Sequence, residues 1–181
     1  MKDKFTQYLK NPIFKFLFFA GIMYISWLLI YYFLITEHTS WDYHLDHNIA
    51  YLSQQFMQLF GVETFIDLES DHVLLFLTEG NLRAVMIGDE CNGFKLFAVF
   101  SIFILAFPGK WKAKMWFVPL GMLIIHLANI IRVCALLLIY DKYPEYLDFN
   151  HLYTFTIFVY AIILILWLWY IKKFSLYAKK D

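Results

Sequence analysis

Thiols are scarce in this chain. Cys91 and Cys134 are the two among 181 residues. Two cysteines cannot make a disulfide framework, and neither stands in a CxxC pair or a Cys/His metal spacing. Charge is scarce as well. Charged residues make up 17% and cancel to a net charge of zero, so bulk charge names no partner. No basic patch with interleaved aromatics exists, which excludes the usual nucleic-acid surface. Internal repeats and low-complexity tracts are absent. Apolar residues are abundant instead: 61% hydrophobic and 22% aromatic, with a mean hydropathy of +0.58. Soluble domains are only about 45–50% apolar. The expectation is one all-α integral membrane domain spanning residues 1–181.

"FLFFAGIMYISWLLIYYFLI", Phe16 to Ile35, carries no charge. It is long enough to cross a hydrocarbon core, which takes about 20 helical residues. A cleaved signal peptide would have a shorter apolar stretch and a small-residue cleavage site. "ITEHTSWDYH" offers no such site, so a retained span is expected. About four transmembrane helices are expected, near 14–35, 91–108, 116–140 and 151–171. The second is short. It reaches spanning length only if the polar notch "GDECNGFKLF", residues 88 to 97, is included. The third holds Pro119 near its start and Arg132 inside.

Lysines set the orientation by the positive-inside rule. Lys2, Lys4, Lys10 and Lys15 precede the first span; Lys110, Lys112 and Lys114 join the second to the third; Lys172, Lys173, Lys179 and Lys180 follow the fourth. Residues 36–90 carry ten acids against one arginine, and residues 141–150 carry three acids and Lys142. Both termini are therefore expected in the cytoplasm, with 36–90 and 141–150 outside. In the long outer segment, Leu45, Ile49, Leu52, Phe56, Leu59 and Phe60 recur at helical spacing, and Gly61 ends the run. An extracytoplasmic amphipathic helix is expected, lying on the outer surface or capping the bundle. "HVLLFL" and "LRAVMI" flank "TEGN", the pattern of a small β-hairpin. That hairpin leads straight into Cys91.

Cys91 opens the second span on the outer side, and His151 opens the fourth on the same side. Arg132 lies nine residues before the outer end of the third, about 13 Å down at ~1.5 Å per residue. Asn129 and His126, three and six residues earlier, share roughly its face. An arginine at membrane depth costs at least about 2.5–3.5 kcal/mol. Snorkelling to the interface is one account of it. The other is a fixed cation facing the bundle interior, its donors holding an anion or a developing oxyanion. A cysteine alone is ordinarily inert packing. Cys91, however, sits at a helix N-terminus, where N–H groups and the dipole stabilise a thiolate. Asn92 and Gly93 permit close approach by another chain. Glu90 and Asp89 oppose the thiolate, so a base or cation is needed nearby. Arg132 and His151 are candidates, and Cys plus His is the minimal thiol nucleophile pair. His151 alone also reads as an ordinary interfacial histidine. Cys134, two residues from Arg132, faces elsewhere and reads as core. The histidines at 38, 44, 47 and 72 show no metal-ligand spacing, and no cofactor is expected.

"ECNGF" at 90–94, "NIIRV" at 129–133 and "FNHLY" at 149–153 resemble, in that order, the Cys, Arg and His motifs of the exosortase/archaeosortase family. The resemblance covers about 85–170 and is nearest the short exosortase F-like members; many others have about eight spans. It implies a multi-pass cysteine transpeptidase or protease of the bacterial cytoplasmic membrane. Such an enzyme cleaves membrane-tethered C-terminal sorting signals of exported proteins on the periplasmic side. It also implies Cys91, Arg132 and His151 as catalytic residues, with Asn129, Asn92, Gly93 and Glu90 in support. The alternative is a non-enzymatic four-span protein that binds an anion, a lipid head group or a partner through Arg132. That reading has no need of Cys91.

Overall fold

A computed structural model describes residues 11–68, 72–78, 83–88 and 91–175. Glu90, Asp89, the "EGN" of the hairpin turn and Lys2, Lys4, Lys10, Lys179 and Lys180 lie outside the described residues. Helix α1, Pro12–His38, starts at an Asn11 cap whose side chain accepts from the Ile13 N–H at 3.0 Å. Pro12 follows at the position where its missing N–H costs nothing. Helix α2 is Trp41–Leu59. Strands β1 (Thr64–Leu68), β2 (Val73–Leu77) and β3 (Ala84–Ile87) follow. Helix α3 is Phe94–Ala106, α4 is Trp111–Lys142, and α5 runs Pro144–Phe174 with a π-helical turn at Asn150–Thr154.

The molecule is a mostly helical membrane protein with one small sheet among the described residues. Helices α1, α4 and α5 are long and apolar enough to cross a membrane. The second expected span is the short one: α3 has 13 residues, about 20 Å against a hydrocarbon core of about 30 Å. It nonetheless runs the length of the bundle's inner part. Its start meets the end of α1, with Tyr31 and Phe94 rings 5.7 Å apart. Its end meets the start of α1, with Phe16 and Phe107 rings 5.3 Å apart. Beyond it, Gly109 bridges Ser175 after α5, and Lys114 on α4 donates to the Leu105 carbonyl at 2.6 Å. That lysine answers an orphan acceptor at a helix C-terminus.

The hairpin forms as part of a three-stranded antiparallel sheet, β1-β2-β3, with Val73 opposite Ile87 and Thr64 opposite Leu77. Val73, Leu75, Leu77, Val85 and Ile87 alternate onto its buried face. Strand β1 escaped the sequence reading because Thr64 is its one buried residue, leaving no apolar alternation to see. Helix α2 caps the bundle, with Leu45, Ile49, Leu52 and Phe56 of its expected apolar face packed against the core. Asp46, Ile49, Ala50, Ser53 and Met57 are buried, while Leu59 and Phe60 at its end are 81% and 70% exposed. Two cores result. An outer one joins α2, the sheet and the last turns of α4 through Ile49, Leu75, Ile87, Val133 and Leu137. An inner one joins α3, α4 and α5 through Phe100, Phe117, Ile163 and Tyr170. Helix α1 from Pro12 to Ile30 buries no residue and is apolar all round, as a lipid-facing helix with all its backbone bonds internal must be.

Candidate active site

The short α3 forms one side of the site with its start. Its N-terminus stops inside the bundle, and the chain enters it through a non-helical turn, Cys91–Gly93. Irregular backbone in a membrane protein survives where its polar groups find partners inside the protein, and several do here. The N–H groups of Cys91 and Asn92 donate to the Gly88 carbonyl at 2.6 and 3.0 Å. The Cys91 carbonyl accepts from the Asn129 side-chain amide on α4. The Phe94 N–H donates to the Asn92 side-chain oxygen at 2.9 Å, and the Phe97 N–H to the Gly93 carbonyl at 2.9 Å. Gly93 sits at φ 78°, a left-handed backbone that glycine adopts without strain. Asn92 is fully buried, and its amide nitrogen donates to an Asp42 carboxylate oxygen at 2.9 Å. Asn92 and Gly93 thus shape the turn as well as leaving room beside it.

The turn aims Cys91 at two groups from different helices. His151 Nε2 lies 3.2 Å from Cys91 Sγ. The imidazole comes from the π-helical turn of α5, and such single π turns are frequent at functional sites. Arg132 Nη2 lies 3.8 Å from the same sulfur. Arg132 is 5% exposed and Cys91 6%, so the guanidinium faces inward and does not snorkel. It stands ten residues before the end of α4 at Lys142, about 15 Å along the helix axis. Helix α2 and the sheet roof it.

A cleft of about 300 Å³ opens between α3 and α5, lined by Gly93, Lys95, Leu96, Arg132, His151 and Tyr160 among others. Leu152 and Tyr160, both more than half exposed, form part of its outward wall. Cys91, Arg132 and His151 therefore meet, and Asn129 joins them. His126 does not: its ring pairs with Asn48 on α2 at 3.1 Å. Glu90 lies outside the described residues. Asp42 was missed. It sits among ten acids of the outer segment, and nothing in its spacing marks it as the partner of Asn92. Cys134 lies in the outer core, its thiol 3.6 Å from the Ser53 carbonyl.

A family model described as transmembrane exosortase matches residues 8–169. The chain belongs to that family. No curated protein and no solved structure matches it. The matched stretch of this exosortase-family chain contains all of α1 through α4, the sheet and all but the last turn of α5. The turn, the cleft and the three converging side chains thus fall inside the shared region.

Proposed function

We propose that this exosortase-family chain is a membrane-embedded cysteine transpeptidase or protease acting on C-terminal sorting signals of exported proteins. The observation that carries the reading is one sulfur within 3.2 Å of an imidazole and 3.8 Å of a guanidinium. An inert core cysteine has no need of either. The substrate's membrane-spanning tail approaches through the lipid between α3 and α5, where the cleft wall is apolar. His151 takes the Cys91 proton, and the Arg132 charge favours the thiolate. The sulfur attacks the peptide carbonyl; the C–S bond forms as the carbonyl π pair moves onto oxygen. Arg132 donates to that oxyanion. Collapse breaks the C–N bond, and the leaving amine takes the proton from His151. A thioester remains. His151 then deprotonates an acceptor amine or water, which attacks the thioester and releases Cys91.

The lysines support a site on the outer side. Lys15, Lys110, Lys112, Lys114, Lys172 and Lys173 flank the helix ends farthest from Cys91, the pattern of a cytoplasmic face. With both termini in the cytoplasm of a bacterium, the cleft faces the periplasm. A cysteine introduced by Lys112→Cys in a Cys91→Ala background should then resist an impermeant thiol reagent added to intact cells; labelling from outside would invert the topology.

The deciding experiment co-expresses wild type or Cys91→Ala with a tail-anchored exported protein from the same genome. Trimmed and full-length forms are resolved by immunoblot at matched membrane levels. Trimming should vanish in Cys91→Ala. Undiminished trimming would leave the anion-binding reading, which rests on Arg132 alone, as the better account.

A further inference from the structure

Lys95 has no part in the chemistry above, yet it lines the same cleft as Arg132 and His151. It sits in the first turn of α3, at the positive end of the helix dipole, where a cation is disfavoured and an anion is welcome. That first turn holds no acidic residue. Asp89 and Glu90 precede it outside the described residues. Among the described residues, the partner found for the ammonium is the Tyr31 ring, 5.6 Å from Nζ to centroid. A π face answers one side of an ammonium and leaves its N–H donors unused. Arg132 makes the second, independent observation. It is 95% buried on the same wall, and its Nε has no hydrogen-bond partner among the described residues. The cleft thus presents two cations, and no carboxylate among its described lining residues. In the thiol-transfer reading the oxyanion belongs to Arg132, which leaves Lys95 with no carboxylate partner among the described lining residues.

We propose that Lys95 is a specificity-determining residue that binds a carboxylate of the substrate chain, an Asp or Glu side chain flanking the peptide bond that Cys91 attacks. The inference rests on the thiol-transfer reading and deepens it. A lipid phosphate is the competing source of negative charge. It is disfavoured because a head group filling a cleft of about 300 Å³ would block the approach to His151 and the thiol.

Two small electrophiles test this without the natural substrate. Iodoacetamide and iodoacetate both alkylate a thiolate: a C–S bond forms, the C–I bond breaks, and iodide leaves. Only iodoacetate carries a carboxylate. Full-length protein in phosphatidylcholine nanodiscs is reacted with each, and modification of the Cys91 and Cys134 peptides is followed by mass spectrometry. The iodoacetate-to-iodoacetamide rate ratio at Cys91 should exceed that of glutathione. It should fall about tenfold in Lys95→Gln and Lys95→Met, as expected for losing a hydrogen bond to a charged group, and persist in Lys95→Arg. Equal ratios in wild type and Lys95→Gln would overturn the proposal while leaving the thiol reading intact. Wild-type Cys91 reacting no faster than Cys134 with either reagent would overturn both. A third arm adds phosphatidylglycerol. If the Lys95-dependent part of the ratio then disappears, a lipid phosphate holds the site and the substrate-carboxylate assignment fails.

Discussion

At the inner end of the bundle, Phe100 fills the space that Gly121 leaves open on α4, and Phe117, Tyr170 and Phe174 close around it. At the outer end, the Cys91 turn is held by a few directional bonds: the Gly88 carbonyl and the Asn92 side-chain oxygen accept from backbone N–H groups, and the Asn129 amide donates to the Cys91 carbonyl. The inner end is a membrane-helix contact of the small-residue kind, where close backbone approach gains dispersion. The outer end gives up helix geometry to expose one thiol to two polar partners. The two cysteines carry the same contrast. Both are buried, but Cys134 meets a backbone carbonyl in an apolar core while Cys91 meets an imidazole and a guanidinium. Packing sets the frame, and a few directional bonds set the chemistry inside it.

The sharpest way to break that contrast is at the sulfur. Cys91→Ser should lower trimming of a co-expressed substrate by at least about 10⁴-fold, since a hydroxyl beside Arg132 stays protonated where a thiol does not. Cys134→Ser should change it little by comparison. Near-wild-type trimming in Cys91→Ser at matched expression would place the chemistry elsewhere. Arg132→Lys comes next, with an expected loss of about 10²–10³-fold. The charge survives, but a point ammonium cannot serve both sulfur and oxyanion as a planar fork can. Full activity in Arg132→Lys would reduce its role to charge alone.

Asp42→Ala probes the hydrogen bonds behind the turn. Losing the acceptor for the buried Asn92 amide should slow iodoacetamide labelling of Cys91 by about tenfold. Asp42→Asn, which keeps an acceptor oxygen, should recover most of it; equal loss in both would point to charge and not to positioning. The smallest effect belongs to the inner end. A Cβ at Gly121 would collide with the Phe100 ring, so Gly121→Ala should destabilise the bundle by about 1–3 kcal/mol, seen as a lower unfolding temperature in detergent. Gly21 on α1 has open space around it, and Gly21→Ala should be neutral or slightly stabilising. Equal behaviour of the two would mean that α3 and α4 relax apart freely.

The membrane class, the apolar helices and the hairpin strands were legible in the chain because each is a local signal. Uninterrupted apolar runs and short alternating stretches are read within a window of twenty residues, and the lysine asymmetry needs only composition segment by segment. The Cys, Arg and His candidates were legible too, as short motifs, with Cys91 and His151 at helix mouths and Arg132 within its helix. Tertiary structure alone decided how these residues combine. The 13-residue length of α3 depends on whether a polar turn finds hydrogen-bond partners inside the bundle, and those partners, Asn129 and Asp42, lie 38 and 50 residues away. Strand β1 forms because β2 offers it a ladder, a non-local gain that its own pattern does not announce. The inward turn of Arg132 follows the same logic. A guanidinium at that depth snorkels or stays according to what the neighbouring helices present, and only their packing brought Cys91 and the cleft to it.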